Sequence, residues 1–193
     1  MHRTIPNIYI FIDRYNGDIF KYNNTNIGII YRNYEKSLKI SELVKIAKEC
    51  KKRRYKFFIS NNLKLAVKLK ADGIYIPSFN KTGLNFLYLN NKKLIVLGSA
   101  HNIPEILKQI KRGCSGVFLS PLFKVKKSKN YLGINKFNLF SRSKKIKFYA
   151  LGGINNKNYS KLKMLNIQGI AGISLFKKKP AWLKAGFCKE FYS

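Results

Sequence analysis

The sequence is poor in acidic residues: eight Asp and Glu stand against 39 Lys and Arg, which gives a formal net charge of +31. A metal site built from carboxylates therefore has few candidate ligands. The excess of positive charge predicts attraction to nucleic acid, anionic membranes or phosphorylated ligands. Lys, Asn and Ile are also abundant together, as an AT-rich coding sequence would produce by drift. A functional and a compositional origin of the charge both stay open.

Cysteine is scarce as well. The three cysteines, Cys50, Cys114 and Cys188, are far apart and form no CxxC pair, which predicts reduced and mostly buried thiols. The sequence shows neither a signal-peptide pattern at its start nor an apolar run of membrane-spanning length. We therefore expect a cytoplasmic protein without a membrane span.

Short apolar runs, 46% hydrophobic residues overall and a length of 193 residues predict one globular domain over residues 1–193. The runs predict eight strands: Asn7–Ile12, Ile27–Tyr31, Tyr55–Ile59, Gly73–Ile76, Leu94–Leu97, Gly116–Leu119, Phe148–Leu151 and Gly169–Ile173. Helices are predicted between or after them at Lys36–Lys52, Leu63–Lys70, Thr82–Asn90, Pro104–Lys111, from Asn155 or Asn156, and at Ala181–Phe191.

This alternation predicts an α/β protein with a short (β/α)₈ barrel, the TIM-barrel fold. The strands are apolar along their whole length, as expected where both faces of a parallel sheet are covered. An open doubly wound sheet is the competing architecture. It is disfavoured because no strand–turn–helix segment carries a GxGxxG fingerprint.

The last two strands and the turns that follow them predict an anion site. Gly152 and Gly153 follow one strand, and Ile173 and Ser174 end the next. Backbone N–H groups at two adjacent turns of this kind can cradle a phosphate, as after strands seven and eight of a (β/α)₈ barrel. A tight glycine turn without a ligand is the alternative.

Five motifs occur in order between about Ile27 and Phe176: YKFFISNNLKLAVKLKADGIYIP, VLGSAHNIPEI, GVFLSPLFKVKKSKNYLG, ALGGIN and GIAGIS. Together they resemble the thiamine-phosphate synthase/TenI-like family. The resemblance implies an enzyme of thiamine biosynthesis that joins a pyrimidine pyrophosphate to a thiazole phosphate and releases pyrophosphate with the help of Mg²⁺. These two small phosphorylated molecules are then the expected partners.

The resemblance also implies roles for individual residues. Gly152, Gly153, Ile173 and Ser174 would hold the thiazole phosphate. The residues expected to contact the leaving pyrophosphate are Arg32, Ser99, Asn61, Ser128 and Lys129. Simpler roles stay open as well: Arg32 can be a surface arginine, Ser99 a helix N-cap and the KVKKSK run a solvated loop.

The metal site departs from the family pattern. The family's Asn-Asp pair after strand three corresponds to Ser60 and Asn61, and its second Asp falls near Ser78 or Asn80. Asn61 and Asn80 thus occupy the family's metal positions without a carboxylate, and no metal ligand is assigned. Either lysines neutralise the pyrophosphate, or Mg²⁺ arrives bound to it, or condensation has been lost.

Histidine is nearly absent from the centre of the chain. The isomerase branch of the family uses a His after strand six, where this sequence has Pro121. His101 is the remaining central imidazole, and it is either a proton shuttle or a loop anchor.

Three functions are considered. The first is a thiamine-phosphate synthase-like transferase, and the second is a TenI-like protein that binds thiazole phosphate or thiamine phosphate without turnover. The third is a basic RNA- or membrane-associated protein, which is weakened because the aromatic residues fall mostly inside predicted strands. We therefore expect no specific nucleic-acid partner, and the sequence leaves the oligomeric state open.

Overall fold

The strands of the protein follow its apolar runs. A computed structural model describes residues 5–22, 26–33, 39–80, 94–126, 128 and 130–173. Eight strands lie in these ranges: β1 (Ile8–Ile12), β2 (Ile27–Tyr31), β3 (Lys56–Ser60), β4 (Gly73–Ile76), β5 (Ile95–Ala100), β6 (Gly116–Leu119), β7 (Lys147–Leu151) and β8 (Gly169–Gly172).

The eight strands form a closed barrel in sequence order, and every neighbouring pair is parallel. Closure is made by β1 and β8, where Ile8 pairs with Ile170 and Ile10 with Gly172. The prediction of a (β/α)₈ barrel is confirmed. The open doubly wound sheet is excluded because such a sheet has two unpaired edges, whereas here the first and last strands pair with each other.

The described helices are α1 (Ile40–Arg53), α2 (Leu63–Lys68), α3 (Ile103–Lys111), α4 (Gly133–Phe140) and two 3₁₀ helices, Gly17–Lys21 and Tyr159–Met164. The helix predicted from Asn155 or Asn156 is thus a 3₁₀ helix that begins at Tyr159. The helices predicted at Thr82–Asn90 and Ala181–Phe191 lie outside the described residues.

Asparagines start two of the α-helices at the carboxyl-terminal side of the barrel. The Asn62 side chain accepts a hydrogen bond from Leu65 N at 3.0 Å, and the Asn102 side chain accepts one from Glu105 N at 2.9 Å. Each cap satisfies a helix N–H that lacks an intrahelical partner. The chain therefore turns outwards into a helix directly after β3 and β5.

Aromatic side chains fill the barrel interior. Alternate strand positions supply one buried cluster, and its members include Tyr9, Phe11, Ile30, Phe58, Tyr75, Leu97, Phe118 and Tyr149. A Cβ at Gly28 would lie 2.6 Å from the Tyr9 ring, and one at Gly116 would lie 2.7 Å from the Tyr149 ring. These glycines provide the space for the rings. Burial is the main cause that raises the pKa of Tyr9, and neighbouring Tyr149 adds to it.

The opposite strand faces pack against the surrounding helices. Cys50 of α1 and Cys114, which precedes β6, are free thiols buried in this layer. Burial raises the pKa of the Cys114 thiol to about 12 and also raises that of Cys50. The expectation of buried thiols is confirmed for both, and Cys188 lies outside the described residues.

Candidate functional site

The carboxyl-terminal ends of the eight parallel strands meet at one rim, and the sequence-predicted site residues gather there. Arg32 follows β2, Asn61 follows β3, Asn80 follows β4 and His101 follows β5. The other predicted positions at this rim are Ser99, Ser128, Gly152, Gly153 and Ile173. Lys129 and Ser174 lie outside the described residues.

Gly152 and Gly153 form the turn after β7 and have φ angles of +92° and +74°. Glycine adopts this left-handed region without the steric cost that a side chain brings. A Cβ at Gly153 would lie 2.5 Å from the Phe123 carbonyl oxygen, and one at Gly152 would lie 3.1 Å from Pro121 Cβ. The glycine pair therefore lets the loop after β7 pack directly on the loop after β6.

The carbonyl oxygens of the Gly152–Gly153 turn accept hydrogen bonds. Gly152 O accepts from Phe123 N at 3.1 Å, and Gly153 O accepts from the Asn158 side chain at 2.8 Å. Ile173 follows β8, the neighbour of β7, and is exposed at the same rim. The two turns are thus adjacent at the same rim.

Arg32 lies over the mouth of the barrel. Its backbone N–H donates to Ile12 O at 2.7 Å, which fixes the start of the loop after β2. Its guanidinium carbon lies 5.0 Å from the centroid of the Phe11 ring, and Phe11 belongs to the interior cluster. This cation–π contact directs the guanidinium to the barrel axis, so Arg32 is placed to meet an anion there.

Ser99 is a buried residue of β5, and its hydroxyl oxygen accepts a hydrogen bond from Ser78 N at 3.0 Å. The N-cap of α3 is Asn102, so the alternative role of Ser99 as an N-cap is wrong. Gln109, which sequence reasoning missed, is 1% exposed and donates to Ser99 O at 2.9 Å. A polar residue in the apolar stripe of the predicted helix was the available signal.

His101 joins the loops after β5 and β6. Its Nδ1 lies 2.6 Å from Ser120 O, and a carbonyl oxygen only accepts, so Nδ1 carries the proton. In the neutral imidazole Nε2 is then an acceptor. The ring is exposed, so this nitrogen can exchange a proton with a ligand or with solvent.

The loop after β6 uses its serine internally. Ser128 Oγ donates to Asn130 O at 2.8 Å, and Ser128 pairs with Val125 in an isolated bridge. Lys124 and Lys126 of the same loop are exposed. The hydroxyl oxygen of Ser128 still has acceptor capacity, whereas its proton is directed into the loop.

Asn61 and Asn80 are in contact, because Asn80 Nδ2 donates a hydrogen bond to Asn61 Oδ1. The Asn80 backbone carbonyl accepts from Arg112 at 2.6 Å and from Lys108 at 3.4 Å. Neutral amides bonded to each other, with cations next to them, do not fit a Mg²⁺ site, which needs anionic oxygen ligands. In the described part of the chain, no three His, Cys, Asp or Glu residues cluster in a way that could hold a metal.

A cavity of about 340 Å³ lies beside β1 and is lined by Phe11, Asp13, Arg14 and Ile173 among others. Asp13 lies 3.6 Å from Arg14 as an ion pair that is largely exposed. A smaller cavity, of about 220 Å³, lies beside Asn61 and includes Tyr31, Asn33 and Phe79. Space for small ligands therefore flanks the rim on two sides.

The fold and the rim define a (β/α)₈ barrel whose functional groups gather at the carboxyl ends of its strands. The profile of the thiamine monophosphate synthase family, TMP-TENI, matches residues 26–176. A putative thiamine-phosphate synthase 2 from Aquifex aeolicus is 33% identical over 153 residues, which cover 74% of this chain and 79% of that protein. The chain belongs to the thiamine monophosphate synthase family.

A thiamine-phosphate synthase from Prochlorococcus marinus subsp. pastoris is 33% identical over 137 residues, which cover 70% of this chain. The chain spans only about two-fifths of the length of this and two further Prochlorococcus relatives. The solved structure of a thiamine phosphate pyrophosphorylase from Pyrococcus furiosus superposes with a TM-score of 0.74 at 18% identity, over 96% of both chains. That likeness confirms the fold.

Across the described residues, no helix combines the length and the apolar character that crossing a membrane requires.

Proposed function

We propose that this protein is a transferase of thiamine biosynthesis that condenses hydroxymethylpyrimidine pyrophosphate with thiazole phosphate to give thiamine phosphate and pyrophosphate. The observation that carries the proposal is the rim itself. Arg32 stands over the barrel mouth, and the turn after β7 contains Gly152 and Gly153, both with positive φ angles. Membership of the thiamine monophosphate synthase family supports the same substrates.

The chemistry follows from where negative charge appears. The bond between the pyrimidine methylene carbon and the pyrophosphate oxygen breaks, and the electron pair leaves with pyrophosphate. The thiazole nitrogen then gives its lone pair to the methylene carbocation. Groups that stabilise the charge on the leaving pyrophosphate accelerate the first step. Arg32 is the described cation best placed for this role because its guanidinium lies over the interior ring of Phe11.

The thiazole phosphate would bind at the other side of the rim. Amides of Gly152, Gly153 and Ile173 would donate to its oxygens, and the Ser174 hydroxyl would add a side-chain donor. The positive φ angles of the glycines support this assignment, since turns of this kind can present successive N–H groups to an anion. The phosphate would thereby hold the thiazole nitrogen towards the pyrimidine.

Other residues at the rim are proposed to contact the leaving pyrophosphate. Ser99, tied to Ser78 by the hydrogen bond to its hydroxyl oxygen, keeps its hydroxyl proton for a pyrophosphate oxygen. Ser128 and Lys129 would act from the loop after β6, which also carries exposed Lys124 and Lys126. His101 Nε2, an acceptor at the rim, would take up or return a proton at the leaving group.

The test is a coupled assay. Protein, hydroxymethylpyrimidine pyrophosphate and thiazole phosphate are incubated with and without Mg²⁺, and both pyrophosphate and thiamine phosphate are measured. Arg32→Gln should lower kcat/KM by about 10²–10³, the range found when one charge-stabilising donor is removed. Arg142→Gln, at an exposed arginine after α4, removes the same charge away from the rim and should leave the rate unchanged. No pyrophosphate release under any divalent metal would end the proposal.

A second candidate has its own support. The Asn61–Asn80 hydrogen bond occupies the positions where the family pattern places metal carboxylates. A protein that binds thiazole phosphate or thiamine phosphate without turning it over would retain the glycine turn and lose the metal. The coupled assay separates the two functions, because only the transferase releases pyrophosphate. Calorimetry with thiazole phosphate tests the site that both functions share: Ser174→Asp should abolish binding by placing a like charge beside the phosphate.

A further inference from the structure

The loops after β3 and β4 are joined by one hydrogen bond between two neutral amides. Asn61 and Asn80 are 19 residues apart in sequence, and Asn80 Nδ2 donates to Asn61 Oδ1. The Asn61 side-chain oxygen, the atom that a cation would need, is therefore engaged by a donor. An amide NH₂ group that faces this point repels a cation, since its hydrogens carry partial positive charge.

Both partners of this hydrogen bond are held by further bonds. Asn80 is 5% exposed, and its backbone carbonyl oxygen accepts a hydrogen bond from the Arg112 guanidinium at 2.6 Å. Asn61 adopts the left-handed region at φ +54°, and its N–H donates to Tyr75 O at 2.9 Å. Such anchoring gives the two side chains a fixed meeting point without any third group between them.

The local charge also disfavours a divalent cation. Lys108 and Arg112 both reach the Asn80 carbonyl. Of the described carboxylates at the same end of the barrel, Asp13 follows β1, which is separated from β3 by β2, and pairs with Arg14. Glu105 accepts from His101 N at 2.8 Å. Two more described carboxylates follow β1 and β2: Asp18 pairs with Lys21 at 2.7 Å, and Glu42 accepts a hydrogen bond from Tyr15 N. None of these contacts of the four carboxylates involves Asn61 or Asn80.

We propose that the Asn61–Asn80 hydrogen bond replaces a divalent cation as the link between these two loops. The free protein binds no divalent cation at this place, and it holds pyrophosphate through its own cationic side chains. The choice of pyrophosphate as ligand rests on the proposed function, whereas the cation-free link rests on the amide pair alone.

The first experiment asks whether carboxylates restore the cation site. Asn61→Asp/Asn80→Asp is compared with wild type and with Asn62→Asp. Asn62→Asp adds a carboxylate to the same loop, but position 62 caps α2 through its side-chain oxygen. Binding of equimolar Mn²⁺ is followed by the loss of the free-ion signal in electron paramagnetic resonance. We expect the free Mn²⁺ signal to fall only with the double variant. A fall of this signal with wild type would overturn the proposal.

Thermal unfolding gives a second readout that needs no activity. The two new carboxylates repel each other, so the double variant should melt below wild type. Saturating Mn²⁺ should raise its Tm by about 5–10 °C, the shift expected at about 100 times Kd for a domain of this size. Wild type should not respond. If the double variant neither binds Mn²⁺ nor shows a higher Tm in its presence, the side chains at positions 61 and 80 are not in contact and the proposal is wrong.

The closing experiment measures pyrophosphate affinity of the wild type by calorimetry, in EDTA and in Mg²⁺. Equal affinity in both is expected, and a fall of about tenfold or more in EDTA overturns the proposal. Failure of the proposed function has a different signature. In that case no thiamine phosphate forms in any condition, while the Mn²⁺ results remain as described.

Discussion

A methyl group at Gly153 is expected to damage both the fold and the phosphate site. In Gly153→Ala the new Cβ would lie 2.5 Å from the carbonyl oxygen and 2.6 Å from the carbonyl carbon of Phe123. These are backbone atoms of a packed loop, so they cannot move aside as the end of a flexible side chain does. The residue would also keep a φ of +74°, which disfavours an L-residue with a side chain.

The expected loss of stability in Gly153→Ala has two parts. A left-handed conformation costs a non-glycine residue about 1–2 kcal/mol, and forced overpacking costs about 1–3 kcal/mol. We therefore expect Gly153→Ala to lower the free energy of unfolding by about 2–5 kcal/mol. Gly133 provides the matched control, because it has a φ of +65° and nothing within 4 Å of its added Cβ. Gly133→Ala should show the conformational part alone, about 1–2 kcal/mol.

Urea unfolding of the two variants and wild type measures both values. The midpoint should fall further for Gly153→Ala than for Gly133→Ala, with the slope m unchanged in both. Thiazole phosphate affinity, measured below the unfolding transition, should fall only for Gly153→Ala. Equal destabilisation by the two substitutions would refute the close approach of Gly153 to Phe123, and unchanged affinity would refute the glycine amides as phosphate donors.

Three further predictions concern buried and paired groups. In a Cys188→Ser background, Cys50 and Cys114 should react with a thiol reagent only after unfolding, because both are buried. The folded pKa of Cys114 is about 12 against about 9 unfolded, so its contribution to stability is complete below pH 9 and is lost as pH rises towards 12. The free energy of unfolding of the wild type should therefore fall as the pH rises above 9. In Cys114→Ala this fall should be smaller, by up to about 1.4 kcal/mol per pH unit. Asp72→Ala removes the carboxylate 2.8 Å from Lys56 Nζ at the opposite end of the barrel. It should cost about 1–3 kcal/mol in urea unfolding without changing thiazole phosphate affinity.

The strands were predictable because parallel barrel strands are buried on both faces and so appear as continuous apolar runs. β5 extends three residues beyond its predicted end because Gly98, Ser99 and Ala100 pair with β6, although their small and polar side chains indicate a loop. α4 was missed because it begins at Gly133 and carries asparagines within its short length. Pairing and packing determine these boundaries, and local composition does not show them.

For the site, chain order was enough to place Arg32, Ser99 and the glycine turn at one rim, since every strand is parallel. The Asn61–Asn80 contact could not be predicted in this way. It depends on how two loops bend after they leave their strands, and on Arg112 from a third element. Sequence can show that carboxylates are missing at two positions, but only the structure shows that the replacements bond to each other.

The pairing of β1 with β8 has a consequence for synthesis on the ribosome. Residues 8–12 cannot complete their sheet until residues 169–172 have emerged, so both edges of the growing barrel stay open through most of translation. Open edges with apolar faces are prone to intermolecular pairing. The net charge of +31 gives such chains a like-charge repulsion, which opposes this intermolecular pairing.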